Sequence, residues 1–92
     1  LHDAFAAQGL AFCNALGLPL GAINRGGGGL ARGHPIGASG AIALVRVLAQ
    51  MAQRRGADRT DRTDRTDRTL RGMACIAGAG GLGAATWVEM PE

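Results

Sequence analysis

Between Gly26 and Gly40 the chain reads GGGGLARGHPIGASG, and this stretch limits the possible folds more than any other. Glycine surrenders its side chain so that the backbone can take unusual angles or let another group approach closely. Ordering so many glycines costs conformational entropy, which a plain connection gives no reason to bear. Within the stretch His34 and Pro35 sit on a tight turn with little bulk around the imidazole. A site at His34 is one reading, and a structural turn with an incidental histidine is the other.

The rest of the chain arranges itself around that loop. Asp3 is placed to cap a helix running from about Ala4 to Leu16, with Phe5, Phe12 and Leu16 on one face and Gly17 as its stop. Ala22-Ile23-Asn24 reads as a short strand entering the glycine loop. A second helix is expected from Gly37 or Ala38 to Arg55, with Gly56 ending it. Arg46, Gln50, Gln53 and Arg54 fall on one stripe, and the remainder is apolar or small. Such a helix is expected to be buried on several sides. Met73 to Ala77 reads as a buried strand, Gly78 to Gly81 as a turn, and Leu82 to Met90 as a final strand favoured by Thr86, Trp87 and Val88.

The expected order is therefore α-β-α-β-β, part of an α/β layered domain with a mixed sheet. The last two strands are antiparallel across a short turn, and the earlier ones parallel through a helical crossover. A single partial domain spans residues 1–92. Within it, residues 57–70 read as a low-complexity loop insertion, because Asp-Arg-Thr occurs four times over from Asp58 to Thr69 and offers nothing to bury.

Composition narrows the function. The net charge of +3 is carried by scattered arginines without interleaved aromatics, which argues against a nucleic-acid surface. No apolar run is long enough to span a membrane. Cys13 and Cys75 form no disulfide framework and no signal peptide is visible, which reads as a reduced, cytoplasmic setting. The chain opens at Leu1 directly on a helical pattern, as the middle of a longer protein would.

Two side chains carry chemistry. His34 can accept a proton or donate to a developing oxyanion. Cys75, at a strand end before another glycine turn, can act as thiolate nucleophile or base. Taken singly, Cys75 also reads as a small buried hydrophobe, as Cys13 does. Gly78 to Gly83 fits G-x-G-x-x-G, but the residues after Gly83 look extended, where a dinucleotide site needs a helix. No His or Cys spacing suits a metal.

Three motifs then point to one family. Gly33-His34-Pro35-Ile36-Gly37-Ala38-Ser39-Gly40 resembles the histidine signature of thiolases, the acyl-CoA C-acyltransferases. Cys75-Ile76-Ala77-Gly78-Ala79-Gly80-Gly81-Leu82-Gly83 is similar to their C-terminal cysteine signature. His2-Asp3-Ala4-Phe5-Ala6 resembles the family's Asn/His-Glu-Ala-Phe-Ala motif. The resemblance implies the C-terminal part of a thiolase-like domain. It implies Claisen condensation of acetyl-CoA or thiolytic cleavage of 3-ketoacyl-CoA, with coenzyme A as substrate and no cofactor.

It also implies roles. His34 activates the nucleophilic cysteine and helps bind the thioester oxygen, Cys75 is the general acid/base, and His2 holds a water of an oxyanion hole. The backbone N–H of Ala77 contributes to a second oxyanion hole, and Phe5 and Gly33 line the substrate pocket. The implied partners are an acyl-CoA substrate, an N-terminal thiolase half, and further copies in a homodimer or homotetramer.

The departures are specific. No residue matches the family's acylated cysteine, and its CoA-binding loop region has no counterpart here. The usual Asn-Gly-Gly appears as Gly26-Gly27-Gly28, Arg32 replaces an apolar residue, and Ala77, Ala79 and Gly80 depart from the cysteine signature. Substrate preference stays open. The alternative is a non-catalytic thiolase-like remnant or a lipid-carrier-associated homologue. Ketoacyl synthases share the fold but use a second histidine where Cys75 stands, so Cys75 and Pro35 favour thiolase.

Overall fold

The two C-terminal strands are joined by a turn whose glycines suit it. Gly80 and Gly81 both take positive φ, 78° and 77°, which side chains resist and glycine accepts. The turn joins β1 (Leu70–Gly78) to β2 (Leu82–Met90). They pair antiparallel in unbroken register from Leu70 opposite Met90 to Gly78 opposite Leu82. The computed structural model describes residues 1–60 and 69–91.

Before the hairpin come three helices, α1 (Ala6–Leu16), α2 (Gly29–Arg32) and α3 (Ser39–Thr60), with a 3-10 turn at Leu20–Ala22 between the first two. Among the described residues the sheet has two strands. The expected α-β-α-β-β order and its parallel strand pair are therefore corrected to helices followed by one antiparallel hairpin. Ala22-Ile23-Asn24 is not a strand. Leu20–Ala22 closes a tight turn instead, and Asn24 takes φ 47°, a left-handed conformation that ends any extended run.

The helix ends differ from expectation for identifiable reasons. Asp3 does not cap α1, which starts two residues later with Phe5 at its N-cap and no side-chain cap. Asp3 is used elsewhere, accepting from the backbone N–H of Gly29 at 2.5 Å. Gly17 stops α1 as expected, in the left-handed conformation at φ 63°. Gly56 does not stop α3, which continues to Thr60. Arg55 holds that end by donating to the carbonyl of Pro91, and to that of Met90 at 3.4 Å. The loop expected over residues 57–70 is corrected at both ends, since the Asp-Arg-Thr repeat begins as the last residues of α3 and Leu70 opens β1, while residues 61–68 lie outside the described residues.

One face of α3 lies on β1. Met51 and Ala74 are buried between them. A Cβ built on Gly72 would stand 2.5 Å from Val47 Cγ1 and 3.0 Å from Met51 Sδ, so glycine is what lets the helix sit so close. Burial on several sides is not what the chain achieves: Val45, on another face, is 63% exposed. A two-stranded hairpin supplies only one apolar layer, and it covers only one stripe of the helix.

The polar stripe meets the glycine loop. Arg46 donates to the carbonyl of Gly26, and to that of Gly27 at 3.1 Å. A Cβ on Gly26 would stand 2.9 Å from Arg46 Nη2 and 3.0 Å from Gln50 Nε2. The stripe thus clamps the loop that leads to His34. Gly72→Ala forces apart the closest helix–sheet approach, and overpacking of this kind costs about 1–3 kcal/mol. Chemical denaturation should show that loss; an unchanged midpoint would mean α3 does not rest on β1 at this point.

Candidate active site

The residues of the three sequence motifs converge at the open edge of β1. Antiparallel pairing sends the backbone groups of alternate residues toward the partner strand and the others away from it. The carbonyl of Cys75 points away from β2, and the backbone N–H of His2 donates to it at 2.8 Å. With the register unbroken, the N–H of Ala77, two residues on, is directed to the same open edge.

His2 is buried, with 7% of its surface exposed. Its ring stacks on that of His34, with centroids 4.1 Å apart and planes 29° apart. Burial and the neighbouring His34 lower the pKa of His2 from the ordinary 6.5, against the opposing pull of Asp3. Neutral His2 is favoured, because a cation in a buried place is unfavourable. Its Nε2 is buried without a hydrogen-bond partner, as is Nδ2 of Asn24. Buried polar atoms of this sort ordinarily find water or a ligand.

His34 reaches this position through local geometry. Gly33 takes φ 85° after α2, which turns the chain sharply and which a side chain would resist. The carbonyl of Pro35 then accepts from the backbone N–H groups of Ala38 and Ser39 at 2.8 and 2.9 Å, opening α3. Ser39, on the first turn, stands 2.6 Å from His34 Nδ1 through its Oγ.

A cleft of about 390 Å³ runs past these groups, lined in part by His2, Gly33, Pro35, Ser39, Met73 and Cys75. Cys75 is half-buried on this wall. Phe5 stands apart from the lining with 74% of its surface exposed, and Ala77 is exposed near the hairpin turn. Strand alternation places Cys75 on the sheet face away from α3, together with Met73 and Trp87. The G-x-G-x-x-G run lies on the hairpin and leads into β2, where a dinucleotide fingerprint leads into a helix.

Sequence reasoning missed three residues here. Ser39 holds the His34 ring, Asp3 pins Gly29, and Asn24 Oδ1 accepts from the nitrogen of Leu1 at 3.0 Å. Ser39 had a readable signal, a hydroxyl five residues past the histidine at the mouth of a helix. Asp3 and Asn24 had none, since their partners lie more than twenty residues away. Among the described residues no group of three His, Cys, Asp or Glu side chains gathers as a metal site, and no helix is long and apolar enough to cross a membrane.

A histidine turn, a cysteine within β1 and a glycine hairpin are brought together by an N-terminal segment, and comparison with known proteins bears on the family. Residues 1–90 match the family model described as thiolase, C-terminal domain. An acetyl-CoA acetyltransferase of Chromobacterium violaceum is 42% identical over 90 residues, 98% of this chain and 20% of that protein. Probable acetyl-CoA acyltransferases of Staphylococcus epidermidis and Staphylococcus aureus are 49% and 55% identical over 60% and 55% of this chain, covering 14% and 13% of their own length. No solved structure gives a significant match. The chain belongs to the thiolase family and carries its C-terminal domain. It spans a fifth or less of the length of these curated relatives.

The lowered pKa of His2 has a consequence for stability. Between the folded-state pKa and 6.5 the unfolded chain binds more protons at this residue than the folded one, so stability rises with pH there. The contribution is complete above 6.5 and declines as pH falls below it. Denaturation at stepped pH should show that decline, and His2→Gln should flatten it. An NMR titration midpoint for His2 above 6.5 would contradict the burial that drives the shift.

Proposed function

We propose that this chain is the acid/base portion of a thiolase-type acyl-CoA C-acyltransferase. In its complete form the protein condenses acetyl-CoA or cleaves 3-ketoacyl-CoA with coenzyme A. One observation carries the reading: His2 stacks on His34 while its backbone bonds to the carbonyl of Cys75. Residues far apart in sequence are thereby brought together beside one cleft, whose lining includes His2, Cys75 and the Gly33 and Pro35 that flank His34.

The roles follow from what each group can do. Cys75, as thiolate, takes a proton from the α-carbon of acetyl-CoA; the C–H bond breaks and an S–H bond forms. The electron pair passes toward the thioester carbonyl, and negative charge grows on its oxygen. The resulting carbanion attacks the carbonyl of an acyl group held as a thioester on a second cysteine. That sulfur leaves with the bonding electrons. Proton transfer and oxyanion stabilisation are the two demands of this chemistry.

His34 supplies a proton acceptor for the second cysteine and a donor to the thioester oxygen. The orphaned Nε2 of His2 suits a bound water at an oxyanion, and the outward N–H of Ala77 suits a second one. Gly33 leaves room beside His34, and Phe5 is assigned to the acyl pocket by its motif. The acylated cysteine belongs to the N-terminal half of the whole protein. Homodimeric or homotetrameric assembly and a cytoplasmic setting complete the proposal.

In the full-length polypeptide, Cys75→Ala should leave acylation by acetyl-CoA largely intact and slow condensation by about 10²–10⁴-fold, the usual contribution of a positioned acid or base. Rapid-quench measurement of acyl-enzyme formation beside steady-state condensation separates the steps. Equal loss in both would remove Cys75 from the base role. A wild-type protein that never forms an acyl-enzyme would instead make the chain a non-catalytic homologue.

A further inference from the structure

His34 lies on an exposed stretch of backbone, yet a histidine that meets a thiol and a thioester oxygen needs a fixed ring. Two contacts hold it. The stack on His2 fixes the plane of the ring but gives Nδ1 no hydrogen-bond partner. That is left to Ser39, which is buried with 5% of its surface exposed.

The Oγ of Ser39 has two partners within reach, His34 Nδ1 at 2.6 Å and the carbonyl of Pro35 at 3.1 Å. A serine hydroxyl has one proton to give and lone pairs to receive. When Nδ1 is bare, the hydroxyl donates to it. When Nδ1 carries a proton, Nδ1–H donates to Oγ and the hydroxyl proton turns to the Pro35 carbonyl. That carbonyl already accepts from the N–H groups of Ala38 and Ser39, so it is the weaker acceptor, used when the first is closed. One rotating hydroxyl therefore satisfies the ring in either protonation state.

We propose that Ser39 is a positioning residue that keeps Nδ1 of His34 engaged whether the imidazole is neutral or protonated, and so reserves Nε2 for the reacting atoms. The inference rests on the assignment of His34 as the thiolase histidine for its catalytic meaning. The hydrogen-bond arrangement stands apart from that assignment. Ser39 touches no substrate in this scheme. It acts by fixing which face of the imidazole is available, as partners of metal-bound histidines fix theirs.

The test uses the full-length polypeptide labelled with ¹⁵N-histidine. With Nδ1–H donating to Oγ and the hydroxyl donating to the Pro35 carbonyl, both bonds are made and Nε2 is left as acceptor, so neutral His34 should show one pyrrole-like nitrogen at Nδ1 and one pyridine-like nitrogen at Nε2. Ser39→Ala should draw the two shifts together, and Ser39→Thr, which restores a hydroxyl, should separate them again. Acyl-enzyme formation should fall about 10–100-fold in Ser39→Ala, the usual cost of losing a partner that orients a functional histidine. Unchanged ring shifts in Ser39→Ala would overturn the proposal, whatever the activity. Should that variant lose its fold, Ser39→Cys keeps the volume, weakens the hydrogen bond, and is read on the same shifts with the same two outcomes. Shifts that respond in a protein unable to form an acyl-enzyme would sustain the Ser39–His34 pairing and defeat the thiolase reading.

Discussion

The backbone hydrogen bond from His2 to the carbonyl of Cys75 is the constraint on which the rest of the site depends. An antiparallel pair leaves the outer edge of each strand with unspent donors and acceptors. Here the N-terminal segment spends one of them. That places the His2 ring against His34, and brings Asp3 to the backbone of Gly29 at the start of α2. Without this bond the hairpin and the glycine loop would be tied together only through α3.

α3 is the second tie, and it works from both sides. Its apolar stripe rests on β1, where Gly72 allows close approach. Its polar stripe reaches the other way, and Arg46 holds the carbonyls of Gly26 and Gly27. The absence of side chains on the loop thus has a packing reason as well as a conformational one. A Cβ on Gly26 would crowd the guanidinium of Arg46 at 2.9 Å. The same helix begins at Ser39, so the element that fixes the loop also carries the hydroxyl that meets His34.

Much of this was legible in the sequence, and the limits were physical. The final hairpin could be read because its information is local: glycines at the turn and extended-structure formers after it. The C-terminus of α1 was marked by Gly17 for the same reason. The supposed strand at Ala22–Asn24 failed because an apolar triplet says nothing about a pairing partner, and Asn24 turns left-handed instead. Asp3 looked like a helix cap because capping is a local rule. Its actual partner, Gly29, is 26 residues away, and no local rule sees that far. The motifs singled out His2, His34 and Cys75; the contacts that connect them are tertiary and appeared only in the fold.

The misreading of α3 is the most instructive, because the pattern was sound and only the inference from it was too broad. A helix apolar around most of its girth states how much surface is suited to burial. It does not state that one hairpin can cover it. With β1 beneath it, α3 buries Met51 and leaves Val45 and Leu48 exposed, while Trp87 stays open on the opposite face of the sheet. Val45 and Leu48 on the helix and Trp87 on the far side of the sheet form two separate apolar surfaces, and exposed apolar surface marks a contact face where it is extensive. The fold brings His2, His34 and Cys75 together through a long-range backbone bond and a ring stack, and it leaves apolar side chains outward on α3 and on the far face of the sheet.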